Sequence, residues 1–341
     1  AFRGQGPGVW DTRLQQERDN FHAALAILEG QGGHDDVLRL STLLAPLWSA
    51  LGNEREGHRW LTGALAHAAD APAEDRIRAL TVTAHLANAL GDLQEAESLV
   101  AQGQALARVV NDERGLADMQ CARGNIARGL GEGAEARARY ESALAGYRML
   151  GDQYNIGYTL IQLAKLGDLG TVGRPGDPAH LSRALESCEE ALQIYRSLGN
   201  TWGIARALHQ LGHLAYKRQD YARAAQLSSE ALEEFWTHGN LTEAANPLED
   251  LADVAGATAH ATTAARLYGL AESLRERLGV PMWPAYRAEY DREVDIARNA
   301  LSADQFQAAW REGRSLTVEA AVAEAKSLAE ALASGTDSAD S

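Results

Sequence analysis

The sequence predicts an all-α protein: a superhelical solenoid of about six helix pairs, preceded by one helix and followed by capping helices. Three observations carry this. Runs rich in Ala, Leu, Glu and Arg, with apolar residues at helical spacing, alternate with short Gly, Asp and Asn turns, and β signals are nearly absent. The stretch 205–231, ARALHQLGHLAYKRQDYARAAQLSSEA, reads as two helices joined by a tight turn at Gln219-Asp220-Tyr221. Its pattern then recurs along the chain at a spacing of about 40 residues.

In that stretch Leu208, Leu211, Gly212 and Ala215 share one face of the first helix, and Ala224, Ser228 and Ala231 share one face of the second. Small residues at Gly212 and Ala224 let two antiparallel helices approach closely. The pattern resembles the tetratricopeptide repeat, a helix–turn–helix unit with Leu-Gly in its first helix and spaced small residues in its second. The resemblance implies a right-handed superhelix whose first helices line an inner, concave face. One unit cannot bury its apolar face alone, so it predicts copies on either side.

Taken in order, residues 1–34 are expected to hold a linker helix over 11–29, with Leu14, Phe21, Leu25 and Leu28 on one side and a break at 30–33. Residues 35–278 are expected to form the solenoid. A weak first copy carries Leu44, Ala45, Trp48, Gly52-Asn53 and Leu61, and Pro46 should kink its first helix or start it late. The next copies carry Leu80, Ala84, Ala87, Gly91-Asp92 and Ala96, then Gly124, Ala127, Gly131-Glu132, Ala136, Tyr140 and Ala143. The fourth has Leu160, Leu163 and Ala164, then Ala184, Cys188 and Ala191, with about eight extra residues within 167–178 that read as a surface loop. After the 205–231 copy comes a sixth, with Leu248, Leu251, Ala252, Ala255, Ala264, Tyr268 and Ala271. Residues 279–333 are expected to cap the solenoid with helices near 286–299, 303–312 and 318–333, the second opened by a Ser302/Gln305 capping box. The tail 334–341 is small, polar and acidic, and reads as disordered.

A net charge of −15 argues against a nucleic-acid surface, which needs clustered Lys and Arg. Two cysteines, Cys121 and Cys188, offer neither a disulfide framework nor zinc spacing, which fits a reducing cytoplasm. No apolar run is long enough to cross a bilayer, and no secretory leader pattern opens the chain. The chain begins without Met and reads as a fragment of something longer.

No catalytic motif stands out. There is no P-loop, no Gly-x-Ser-x-Gly elbow and no His-Glu-x-x-His pair, so neither a reaction nor a cofactor is proposed. The glycines of 170–177 lack the Lys of a phosphate loop and read as a connection. His209 and His213, four apart on one face, lack further ligands at suitable spacing for zinc, so no metal site is expected. Trp48, Trp60 and Trp236 read as packing, Trp202 stands just before a first helix at the rim, and Cys188 reads as core. If first helices line the concave face, the inward positions include His85 and Asn88; Cys121, Asn125 and Arg128; and Lys165 and Asp168. They continue with His209, His213, Tyr216 and Lys217, then Glu249 and Asp253. A solvated helix face is the plain alternative, but such a face uses Glu and Lys more often than His, Asn and Tyr. The candidate ligand is an anion, a polyhydroxylic molecule or a peptide carboxylate.

The two ends suggest a family. The opening helix, Trp10-Asp11 through Glu17-Arg18-Asp19-Asn20-Phe21-His22-Ala23-Ala24-Leu25, resembles the helix that follows the nucleotide-binding and winged-helix modules of bacterial STAND-type regulators. The run Ala264-Ala265-Arg266-Leu267-Tyr268-Gly269-Leu270-Ala271-Glu272, with Leu278-Gly279-Val280-Pro281, Phe306-Gln307-Ala308-Ala309-Trp310 and Val318-Glu319-Ala320-Ala321, is similar to the C-terminal end of LuxR and SARP/AfsR-like members. The resemblance implies a transcriptional regulator whose NB-ARC-type NTPase and effector modules lie upstream. Its repeat region would sense an inducer, a small molecule or a protein, in the concave groove and control the NTPase module. Direct nucleic-acid contact and membrane contact are not expected of this region. The alternative is a free-standing scaffold that holds partner proteins.

Overall fold

The computed structural model describes residues 17–50, 53–168, 178–238, 241–278, 282 and 284–334. Every regular element among them is an α-helix. The described residues up to 168 form one compact unit and those from 178 form another. The N-terminal unit holds α1 (Arg18–Gly30), α2 (His34–Ala50), α3 (Glu54–His67), α4 (Ala73–Ala89), α5 (Leu93–Val110), α6 (Glu113–Gly129), α7 (Gly133–Met149) and α8 (Gln153–Asp168). The C-terminal unit holds α9 (Pro178–Ser197), α10 (Thr201–Lys217), α11 (Tyr221–Thr237), α12 (Leu241–Ala257), α13 (Ala261–Leu278), α14 (Pro284–Asn299), α15 (Ala303–Ser315) and α16 (Val318–Ser334).

A ruler of 20 residues runs through the turns. Gly91, Asn111, Gly131 and Gly151 all have positive φ, and so do Gly199, Gln219 and Ala259. Each ends one helix in the left-handed region, which turns the chain back on itself. After five of these seven the next residue caps the following helix with its side chain. Asp92, Asp112, Asn200 and Asp220 accept the backbone N–H of Glu95, Gly115, Gly203 and Arg223, and Asp152 accepts that of Asn155. Such caps contribute about 1 kcal/mol each. Two steps make the 40-residue repeat. Gly151 and Gly199 stand 48 apart, two steps plus eight residues, which locates the extra length of the fourth copy. The expected loop over 167–178 falls almost wholly outside the described residues.

Packing follows the repeat within each unit. First helices lie side by side, α2 on α4 and α4 on α6, then α10 on α12. Each second helix packs between its own first helix and the next, as α5 does between α4 and α6 and α11 between α10 and α12. Gly212 is where α10 and α11 come closest. A β-carbon there would run into the Ser228 side chain and lie 3.1 Å from its backbone N and 3.4 Å from the Ala224 carbonyl oxygen, so the small residues set this approach. Between repeats, tyrosines such as Tyr140 and Tyr195 fill the core with no appreciable exposure.

Some boundaries differ from expectation. The opening helix is described from Arg18, and residues 11–16 of the expected span lie outside the described ones. Pro46 does not delay its helix, because α2 begins twelve residues earlier at His34. Pro247 likewise sits inside α12. The terminal helices match the three expected, with α15 running on to Ser315 and α16 to Ser334. The Ser302/Gln305 capping box is present. Helix α15 packs on α13, with Phe306 against Trp310 and Trp310 stacked on Tyr268 at 6.2 Å. Helix α16 packs on α11. No helix among the described residues is long and apolar enough to cross a membrane.

Candidate functional site

In the N-terminal unit, polar side chains reach from α4 to α6 and from α6 to α8. A β-carbon on Gly129 of α6 would lie 3.6 Å from the Asn88 side-chain oxygen, so Asn88 reaches from α4 across to α6. Asn125 on α6 donates to the Tyr158 hydroxyl on α8 at 3.4 Å, and its carbonyl accepts from Tyr140 at 2.8 Å. These bonds hold Asn125 rigidly, and it is buried. Arg128 lies near enough to Tyr140 to interact electrostatically with its hydroxyl. Lys165 is half-buried on α8. Asp168 ends α8, and its side chain lies outside the described ones.

His85 differs from its neighbours. Its ring is half-buried on α4, and Nε2 has no hydrogen-bond partner among the described residues. Burial pushes its pKa down to about 4, so the ring is neutral at pH 7. A neutral imidazole can donate or accept according to tautomer. An unsatisfied buried nitrogen of this kind costs free energy until something bonds it.

The C-terminal unit arranges its candidates differently, with most of them paired to other residues of the unit. Asp250 on α12 is buried between two imidazoles of α10, His213 Nδ1 at 2.8 Å and His209 Nε2 at 3.1 Å. Burial alone would raise its pKa, but the two histidines hold it well below the usual carboxylate range. Glu249 takes a bidentate bond from Arg275 of α13 at 2.7 and 2.8 Å, and Arg275 also donates to Asn246 at 2.7 Å. Burial nonetheless raises the Glu249 pKa. Asp253 accepts from the Tyr268 hydroxyl, and burial, then neighbouring Asp250, raises its pKa well above the usual value. At the end of α10, Tyr216 donates to Glu293 of α14 at 2.8 Å, and Lys217 pairs with Glu289 of the same helix. Among the described residues no group of three or more His, Cys, Asp or Glu is arranged to hold a metal.

Spacing alone did not reveal several participants. Tyr158 lies seven before Lys165, a helical rhythm that could have placed it on the face. Asp250 is adjacent to the expected Glu249, one residue and about 100° of helix rotation away. Glu289, Glu293 and Arg275 carry no local signal, because only tertiary packing brings them here. Two placements change. Cys121 does not face outward: it is buried, and burial pushes its thiol up to about 12. Trp202 is the second residue of α10, not a residue before it, and carries the Arg206 guanidinium 4.5 Å above its ring.

No protein-family model and no curated protein matches the chain. Solved structures do match its fold. One is a Signal Transduction ATPase with Numerous Domains (STAND) protein with a tetratricopeptide repeat sensor from Pyrococcus horikoshii, at 16% identity and a TM-score of 0.57. That match covers 93% of this chain and 47% of the STAND chain, so this chain spans about half the length of that protein. A second is a Rap protein complexed with competence and sporulation factor, at 15% identity and a TM-score of 0.60, covering 94% of this chain and 97% of that one. The chain has the fold of a tetratricopeptide-like helical-repeat solenoid.

Proposed function

We propose that the chain is the sensing and regulatory repeat region of a STAND-type signal-transduction regulator. An inducer binds the first-helix face of the N-terminal unit and thereby controls an NTPase module elsewhere in the full-length protein. The observation that carries this reading is His85: a neutral, half-buried imidazole whose Nε2 has no partner among the described residues, on the helix whose Asn88 reaches α6 at Gly129. The face offers amide, imidazole, phenol and guanidinium groups, a set that suits a ligand combining hydroxyls or amides with a carboxylate. The match to a STAND protein with a repeat sensor supports the class of regulator. A ligand that prefers one arrangement of the stacked helices shifts the population of the whole protein towards it.

A thermal-shift screen of metabolites and short peptides against this chain tests the reading. A compound that raises Tm in wild type and loses its effect in Arg128→Ala and His85→Ala, with the variants' own Tm nearly unchanged, supports it. Hits whose effect survives both substitutions overturn the assignment of the face. The second reading, a free-standing scaffold for partner proteins, is favoured by the Rap match spanning almost the whole of both chains. A reading frame that starts just before this region, with no P-loop upstream, would decide for the scaffold.

A further inference from the structure

Helix α14 covers the part of the C-terminal unit where the first-helix polar face would otherwise meet a partner. Its Glu289 pairs with Lys217 and its Glu293 accepts from Tyr216 at 2.8 Å, so two carboxylates one turn apart bind the end of α10. Between them Tyr290 stands edge-on to Tyr268 at 5.4 Å. The apolar hold is slight. Among the described side chains of α14 only Val294 and Ala297 are buried, and Ile296 is 46% exposed although it lies over Gly256. The other terminal helices are seated more firmly: α15 buries Phe306, Ala309 and Gly313, and α16 buries Val318, Ala321, Ala325 and Leu328.

The docked helix also carries an electrostatic cost. Glu293 adds negative charge beside Asp253, which faces His213 and Tyr216 from α10, Tyr268 from α13 and Asp250 on its own helix. Glu249, next to Asp250, is neutralised by Arg275. Like charge brought towards a carboxyl group disfavours its ionised form, so leaving would relieve the cluster.

We propose that α14 is a displaceable strap: it fills the Tyr216–Lys217 face as an internal stand-in for an acidic amphipathic helix of a partner protein, which binds by taking the places of Glu289 and Glu293. The partner helix carries two carboxylates one turn apart with an aromatic residue between them. Electrostatic complementarity selects it, and the weak apolar seat of α14 keeps the exchange within reach. This stands apart from ligand binding on the N-terminal unit, so either idea can fail without the other.

The probe is a fluorescent synthetic peptide with the sequence of residues 284–299, titrated into the full chain. Wild type, its face occupied, binds weakly. The double variant Glu289→Lys/Glu293→Lys releases the strap and binds the peptide at least tenfold more tightly. Adding Lys217→Glu abolishes that gain. Hydrogen exchange read alongside shows α14 amides losing at least tenfold protection in the double variant, with α11 and α13 unchanged as evidence of intact folding. A second variant, Tyr216→Phe/Lys217→Ala, loosens α14 without introducing charge and gains no peptide binding, since it removes the site itself. Unchanged α14 protection in both variants, or a loosened double variant that fails to bind the peptide, overturns the proposal.

Discussion

At the scale of single residues, two half-buried titratable groups make opposite demands on pH. His85 stays neutral because burial depresses its pKa to about 4, whereas the unfolded chain protonates this imidazole below about 6.5. The unfolded state therefore binds the extra proton between those values, and stability is lost as pH falls through that window, by up to about 3 kcal/mol. His85→Gln should flatten the fall in Tm between pH 6.5 and 4, which calorimetry across that range would show. Asp253 has the reverse sign. Its pKa is raised, so the native state holds a proton that the unfolded chain releases, and its contribution weakens as pH rises above the ordinary carboxylate range. Asp253→Asn keeps an acceptor for Tyr268 and removes that proton, so its Tm should gain on wild type from pH 5 to pH 8. These environments were only partly legible in the sequence. Helical spacing put His209 and His213 on one face, but Asp250, the carboxylate that joins them, carries no local signal, because the rotation of α12 decides which of its side chains faces α10.

At the scale of the element, helix and turn alternate on one rhythm, and most of that rhythm is written plainly. Gly-Asp at 91–92, Asn-Asp at 111–112, Gly-Glu at 131–132 and Gly-Asp at 151–152 announce where each helix stops and the next begins. Gln219 and Ala259 hide it, since neither residue type advertises the left-handed conformation that both adopt. Exposed Ala259 has a φ of 63° and pays for its β-carbon there, so Ala259→Gly should stabilise the chain by about 1 kcal/mol in urea unfolding. Gly212→Ala should do the opposite, costing about 2 kcal/mol, because the new methyl group meets Ser228 where α10 and α11 touch. The helix ends were less legible than the helices. Pro46 reads as an obstacle, yet α2 runs from His34 past it to Ala50.

At the scale of the whole molecule, stability in a repeat protein is a sum over neighbouring layers, and the last layer needs a cover. Helices α15 and α16 lie on α13 and α11, so ending the chain after residue 300 should bare Tyr268 and the apolar side of α11. Such a truncated protein is expected to bind a hydrophobic dye such as ANS more strongly than the full chain and to aggregate more readily. The terminal helices themselves were readable from their periodicity and the Ser302 cap. That α14 would reach across to Tyr216 and Lys217 was not, since the pairs it makes span more than 70 positions of sequence. The even spacing of the turns has one more consequence. A chain measured out in equal strides can lengthen or shorten only in whole strides: adding or removing two of them grows or trims the stack by one layer and leaves every remaining contact in register. A single inserted residue inside a helix would instead rotate everything beyond it by about a quarter-turn, away from its neighbours. Length variation in this architecture should therefore come in blocks of about 40 residues, or be absorbed where the stride is already broken, between Gly151 and Gly199.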